Sequence, residues 1–267
     1  MQAWRPTPFL ITCAAVHLGA ALLLLLHTEL WRWAVGAVLL AHGMLATAGL
    51  WPRSTLLGPN LLRLPEAAAR RGEIAITIDD GPDPDVTPQV LDILAAHRAQ
   101  ASFFCIGERA AAHPQICRAI AAAGHAVENH GQLHRKHYSL LGPRGWLREV
   151  GAAQATLEAI TGQRPQFFRA LAGLRNPFLD PVLHTLGIRL ATWTRRGYDT
   201  RIGDADRVLS RLTRNLAAGD ILLLHDGHAA RTAAGRPVIL DVLPRLLDEI
   251  AARDLKPITL RAACTPP

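Results

Sequence analysis

The sequence predicts an α/β protein: a barrel-like sheet of about seven parallel strands, preceded by a transmembrane helical hairpin. Three observations predict it. Phe9–Leu26 and Trp33–Trp51 are apolar runs without a charged residue, each close to the ~20 residues that cross a bilayer. From Glu73 onward, short apolar runs alternate with amphipathic helical patterns, as strand–helix–strand units do. Runs such as Ile221-Leu222-Leu223-Leu224 are apolar throughout, which suits parallel strands covered on both faces. A doubly wound open sheet is the competing arrangement of the same pattern.

The hairpin comes first. Trp4, Trp31, Trp33 and Trp51 flank the two runs, where interfacial aromatic residues collect. The connection His27–Arg32 is short enough for a tight turn between antiparallel helices. No small-residue cleavage site follows Leu26, and a second apolar run comes at once, which argues against a cleaved signal peptide. Lack of charge and the tryptophan placement likewise argue against two buried core helices. Arg5 precedes the hairpin and Arg53, Arg63, Arg70 and Arg71 follow it, whereas the turn carries only Arg32 beside Glu29. The positive-inside rule then puts both ends, and the domain beyond them, on the cytoplasmic side of the cell's inner (plasma) membrane. Residues 1–54 are read as the hairpin, 55–72 as a juxtamembrane linker whose arginines can lie on anionic head groups, and 73–267 as the α/β domain.

Composition supports a membrane setting. Among 267 residues, 49% are hydrophobic and the mean hydropathy is +0.14. The net charge of +7 is carried almost entirely by arginine, since Lys136 and Lys256 are the only lysines. Aromatic residues make up only 5% and no nucleic-acid module is visible, so anionic lipid is the expected partner of the basic surface and nucleic acid is not. Cys13, Cys105, Cys117 and Cys264 form no Cys-x-x-Cys pair, so free thiols are expected.

In the domain, strands are predicted over 74–78, 101–105, 125–129, 166–169, 188–193, 220–225 and 257–260. Helices fall between them, over 86–97, 108–123, 144–161, 178–186, 204–217 and 238–253. Gly124, Gly162, Gly187 and Gly219 stand where these helices should stop.

The chemistry gathers at strand ends. Thr77-Ile78-Asp79-Asp80-Gly81-Pro82 closes the first strand with two adjacent carboxylates and a turn. Adjacent like charges repel, which points to a cation or to divided roles. His130-Gly131-Gln132-Leu133-His134 follows the third strand, and the i, i+4 spacing puts both imidazoles on one side of a helical turn. Two His and one Asp make a three-donor site with room for water. His225 ends the sixth strand, where it can act as a general acid, and Arg169 ends the fourth, where it can hold a carboxylate. Taken singly, each is an ordinary polar cap or ion pair; their shared position at one end of successive strands is what points to a site.

From Glu73 to the C-terminus the chain resembles the polysaccharide deacetylase family, or NodB-homology domain, in five places. Thr77-Ile78-Asp79-Asp80-Gly81-Pro82 matches its first motif, and the resemblance implies Asp79 as catalytic base and Asp80 as metal ligand. His130 and His134 match the second, completing the metal site. Arg169-Ala170-Leu171-Ala172 matches the third: Arg169 would orient Asp79, and the Ala172 N–H would bind the oxyanion. Trp193 and Asp199 match the fourth as pocket wall and as orienter of the acid. Leu223-Leu224-His225 matches the fifth, with Leu223 lining the acyl pocket and His225 protonating the leaving amine. The implied fold is a distorted, incomplete (β/α) barrel. Ile78, Gly131, Leu171 and Ala172 depart from the family pattern; the last two remove an aromatic platform for a sugar ring.

The expected activity is therefore metal-dependent hydrolysis of an N-acyl group (acetyl or formyl) from an amino sugar, polymeric or lipid-linked. An Asp-His-His set suits Zn2+, with Ni2+ or Co2+ as substitutes. The rival from another class is a catalytically silent, membrane-tethered module that binds glycan or lipid; a structural protein that partners through its hairpin would need no metal. His137, Asp226 and His228 lie near the site without an assigned role.

Overall fold

A computed structural model describes residues 3–265, so the outermost residues of the first and last predicted segments, 1–2 and 266–267, lie outside it. Two long helices open the chain, α1 (Pro8–Leu26) and α2 (Trp31–Leu50). The Thr7 side chain caps α1 by accepting from the Leu10 N–H at 3.2 Å. The helices pack on each other, α1 burying Cys13 and Ala20 and α2 burying Ala34, Ala41 and Ala48. Small residues seven apart let two backbones approach closely, as helix pairs in lipid do. The large apolar side chains point outward: Leu18, Leu25 and Trp33 are 73%, 81% and 76% exposed. Only 11% and 22% of the two apolar windows is buried, so these are not core helices of the domain.

The hairpin is fastened to the domain at both ends. Trp4 Nε1 donates to Asp180 Oδ2 at 2.7 Å, and Thr7 Oγ1 donates to the Leu56 carbonyl at 2.6 Å. In the last turn of α2 the Gly49 carbonyl accepts from the Arg175 N–H at 3.0 Å, and beyond it Asn60 Nδ2 donates to the Pro52 carbonyl at 3.0 Å. Residues 55–72 are packed rather than extended: Leu57, Leu64 and Ala68 are buried, and α3 (Glu66–Arg70) forms within the segment. Arg63 pairs with Asp220, and Arg70 and Arg71 with Glu66 and Glu73.

The domain then runs β1 (Glu73–Asp79), α4 (Thr87–Ala96), β2 (Ala101–Cys105), α5 (Gly107–Ala112), α6 (Pro114–Ala122), β3 (Ala126–Asn129), α7 (Pro143–Thr161), β4 (Phe167–Phe168), α8 (Leu179–Leu186), β5 (Arg189–Leu190), β6 (Arg195–Arg196), α9 (Ala205–Thr213), β7 (Ile221–His225), α10 (Ile239–Ala251), β8 (Lys256–Pro257) and α11 (Leu260–Cys264). Seven strands pair in parallel in the order β5-β4-β3-β2-β1-β7-β6, and β8 pairs with the start of β1. β5 and β6 are not paired, so the barrel is incomplete. Leu61 bridges to Ala191 beyond β5, and the Leu64 N–H donates to the Gly219 carbonyl at 2.9 Å, so the segment after the hairpin runs along the open side.

Alternation along β1 sorts the two faces. Ile74, Ile76 and Ile78 join an outer core with Phe103, Leu222, Leu224 and the apolar stripe of α10, whereas Ala75 packs inward with Phe104 and Phe167. Thr77 and Asp79 share the phase of Ala75, which carries polar groups into the barrel.

Local differences from the expected elements have local causes. The helix expected over 108–123 is two helices, because Pro114 supplies no N–H and restrains His113. The helix expected over 204–217 ends at Thr213. The runs 166–169 and 188–193 form strands of only two residues each, and β6 carries arginines that no apolar pattern signals. Gly162 and Gly187 end α7 and α8 in the left-handed region, as expected. All four cysteines are free.

Candidate active site

Strand register assembles the site. Asp79 on β1 stands opposite Phe104 on β2 and His225 on β7, so the first strand's carboxylate and the seventh strand's imidazole share one rim. His130 follows β3 and Arg169 follows β4 at the same end. Together with Asp80, His134, Leu171, Ala172, Trp193 and Leu223, Asp79, His130 and His225 line a cleft of about 370 Å³. This is the C-terminal mouth of a parallel sheet, where α/β folds place their chemistry.

One corner gathers lone pairs. Asp80 Oδ1 is 3.2 Å from His130 Nε2 and 3.0 Å from His134 Nε2, and the three donor atoms lie within 4.8 Å of one another. His130 Nδ1–H donates to the Arg169 carbonyl at 2.8 Å, which leaves the Nε2 lone pair facing the cleft. His134 Nε2 is buried without a hydrogen-bond partner. A buried, unpartnered imidazole nitrogen beside a carboxylate and a second imidazole fits a divalent cation. Burial alone would raise Asp80, but His130, His134 and His228 outweigh it and hold the carboxyl far below the usual carboxylate range. Burial holds His134 below its ordinary value despite Asp80.

The two histidines do not share a helical turn, as their spacing had suggested. Residues 131–137 form an irregular loop in which Gly131 (φ 87°) and His134 (φ 52°) are both left-handed. The loop brings the rings to 4.9 Å. Asn129 Oδ1 accepts from the Gly131 N–H at 2.8 Å, and Glu149 of α7 accepts from the Leu133 N–H at 2.5 Å and from the Tyr138 hydroxyl. A Cβ at Gly131 (φ 87°) would meet Tyr138 Cε2 at 3.1 Å and Glu149 Oε1 at 3.3 Å, so the hydroxyl residue of the family pattern would be crowded and strained in this loop.

The opposite side handles protons. Arg169, fully buried, donates from Nη1 to Asp79 Oδ1 at 2.6 Å and to Thr77 Oγ1 at 2.8 Å. Its Nε and Nη2 donate to the Ala191 and Thr192 carbonyls at 3.2 and 2.8 Å, and its plane stacks 4.0 Å from the Phe104 ring. Four of its five N–H donors are committed, so Asp79 is held in one orientation with Oδ2 turned toward His130 at 3.9 Å. Asp199, also fully buried, accepts from the His225 N–H at 2.7 Å and from His225 Nδ1 at 2.8 Å. Burial would lower the His225 pKa, but Asp199, followed by Asp79 and Asp80, raises it to about 9. His225 therefore carries its proton at neutral pH.

Ala172 sits at φ 51° in the turn Leu171–Gly173, and its N–H is not taken by a backbone acceptor among the described residues. Trp193 and Leu223 are buried in the cleft wall.

Sequence reasoning missed Arg109, whose Nη1 donates to the Asp80 carbonyl at 2.8 Å and whose Nη2 donates to His228 Nε2 at 3.0 Å. His228 in turn donates from Nδ1 to Asp80 Oδ2 at 3.3 Å and lies parallel to His134 at 6.1 Å. The Asp226-Gly227-His228 run after the apolar β7 was the available signal. Asp226 points away from the cleft; it is fully buried, accepts from Thr87 and the Gly227 N–H, and burial pushes it up to about 7. His137 packs edge-on against Tyr138 and does not line the cleft.

The sequence profile of the polysaccharide deacetylase family matches residues 66–191. A chitooligosaccharide deacetylase from Azorhizobium caulinodans is 33% identical over 68% of this chain and 90% of its own length. The chain belongs to the polysaccharide deacetylase family. A peptidoglycan-N-acetylglucosamine deacetylase from Bacillus cereus is 29% identical over 70% of this chain and 85% of its own. Among solved structures, a CE4-family pseudoenzyme from Bacillus anthracis superposes with a TM-score of 0.68 at 19% identity, covering 77% of this chain and 68% of that one. The polysaccharide deacetylase profile ends before Trp193, Asp199 and His225, whose assembly with the first three motifs is seen only in the folded chain. The hairpin likewise precedes the matched stretch.

Proposed function

We propose that this protein is a membrane-anchored, metal-dependent N-deacylase that removes an acetyl or formyl group from an amino sugar. The observation that carries the reading is the pair Asp79 and His225, side by side in strand register and flanking three converging metal donors. A binding module needs neither a carboxylate locked by a buried arginine nor an imidazole held protonated by a buried aspartate. The relatives' names support an N-acetylated glucosamine unit of a chitooligosaccharide or of peptidoglycan as the substrate class.

Asp80, His130 and His134 hold the ion, for which zinc is the first candidate and nickel or cobalt can substitute. When bound there, a divalent cation supplies Lewis-acid polarisation of the amide carbonyl and an acidified water. Asp79 would take the proton from the water that attacks the carbonyl carbon. Arg169 keeps the carboxylate aimed throughout. The Ala172 N–H donates to the oxygen that gains charge, where preorganised donors contribute most. As the C–N bond breaks, His225 gives its Nε2 proton to the departing amine, and Asp199 stabilises the ring's charge beforehand. Water and amide thus become carboxylic acid and amine, and a proton passed from Asp79 back to His225 resets the pair.

The two outward-facing apolar helices support anchoring in the inner membrane, and the arginine distribution supports a cytoplasmic domain. Leu171 and Ala172 line the cleft where the family pattern carries a Pro-aromatic pair, which gives a specific ground for the silent-module reading. Purified protein assayed for bound metal and for acetate release from chitotetraose decides between the two. Metal together with acetate supports the deacylase; binding of the sugar without acetate in metal-loaded protein overturns it.

A further inference from the structure

Beside the catalytic cleft lies a second cavity of about 350 Å³, lined by Arg53, Arg196, Arg211 and Arg214 with Trp193 and Tyr198. Arg195 also reaches it, but its guanidinium is taken up by Asp220 and by the Arg214 and Asn215 carbonyls. Arg53, Arg196, Arg211 and Arg214 pair with no carboxylate among the described residues. Aromatic rings hold two of them in place. Arg196 lies 5.2 Å from the Trp193 ring centre and 5.0 Å from that of Tyr198, and Arg211 lies 5.3 Å from Tyr198. Arg196 Nε is buried and has no hydrogen-bond partner. Four guanidinium groups around one cavity repel one another, and no carboxylate among the described residues neutralises them. An arginine-rich surface carries many solvated arginines; these differ in lining one cavity together, with Arg196 and Arg211 stacked on its rings.

The chemistry that matches planar guanidinium forks is phosphate. Trp193 and Arg196 line both this cavity and the catalytic cleft, so a ligand can fill the two together. Arg53 stands two residues beyond Trp51, where α2 ends, so the cavity is also on the hairpin side of the domain.

We propose that the arginine cavity is a phosphate subsite, and that the substrate is an N-acylated amino sugar joined through phosphate to a membrane-embedded lipid chain. The inference rests on the deacylase reading and narrows its substrate class. The phosphate of a bulk anionic lipid would offer the same chemistry, but the residues shared with the cleft favour the substrate's own.

The test uses full-length, metal-loaded protein in nonionic detergent with two substrates, neutral chitotetraose and polyprenyl-phosphate-linked N-acetylglucosamine. In Arg211→Ala/Arg214→Ala, the ratio of kcat/KM for the phospholipid over chitotetraose falls about 30-fold, mostly through KM, as expected for lost charged hydrogen bonds. Arg211→Lys/Arg214→Lys restores most of the ratio, which a folding defect would not do. An unchanged ratio overturns the subsite. A change only on adding phosphatidylglycerol, equal for both substrates, assigns the cavity to bulk lipid and also overturns it. Calorimetry of N-acetylglucosamine 1-phosphate against N-acetylglucosamine reads the subsite without turnover. Preference for the phosphate in wild type, lost in the alanine variant, supports the subsite even in a protein that releases no acetate, whereas no preference sinks it.

Discussion

His134 and His225 face one cleft from opposite sides, and their surroundings differ in kind. His225 is clamped by Asp199 through both its backbone and its ring, and its pKa rises to about 9. His134 sits on a loop, meets the cleft with an unpartnered nitrogen, and stays below its ordinary value. A carboxylate behind the ring makes one imidazole a proton carrier; burial without such a partner makes the other a lone-pair donor. The fold obtains two reagents from one residue type by choosing where to put an aspartate.

Five substitutions test that contrast. The largest effect is expected on the donor side: His130→Ala or His134→Ala should remove the bound metal, read by elemental analysis, and take acetate release to background. On the other side, His225→Ala should lower kcat by about 10²- to 10⁴-fold while metal content stays at the wild-type level. Loss of metal in His225→Ala would erase the distinction between the two sides.

Asp199→Asn should act through pH. The wild-type rate should decline as pH rises through about 9, when His225 loses its proton, and the variant's decline should move toward the ordinary value of 6.5. Stability follows the same sign. A raised folded-state pKa stabilises the fold fully below 6.5 and ceases to do so as pH rises through about 9, so melting curves of wild type and His225→Ala should converge over that window. The smallest effect is expected from Glu149→Gln, which loosens the loop carrying His134. Metal affinity should weaken by roughly tenfold, as for other residues that brace a ligand, with His225 titrating as before.

Much of this was legible in the sequence because the informative residues sit next to apolar strands. Asp79, His225 and Arg169 follow runs whose hydrophobicity gives them away, and parallel register does the rest. Arg109 and His228 were not legible, because their contacts with Asp80 depend on how α5 and the loop after β7 meet. The loop at His130–His134 misled because a four-residue spacing suits a helical turn and a left-handed hairpin bend equally, and only the packing of Glu149 and Tyr138 selects the bend. Residues 55–72 read as a linker because Gly58-Pro59, Pro65 and the Ala-Arg stretch break any regular pattern there, yet Leu57 and Leu64 are buried. The arginine cavity could not be foreseen, since Arg53 and Arg211 are far apart in sequence.

The bond between the Arg175 N–H and the Gly49 carbonyl has a consequence for reach. It lies two residues past the turn that carries Ala172, so no slack separates the last turn of α2 from the reacting amide. Under the proposed anchoring, the enzyme cannot swing outward to graze along a polymer. It works at a fixed height above the head groups, on whichever sugar lies nearest the lipid, and finds its substrate by sliding within a plane.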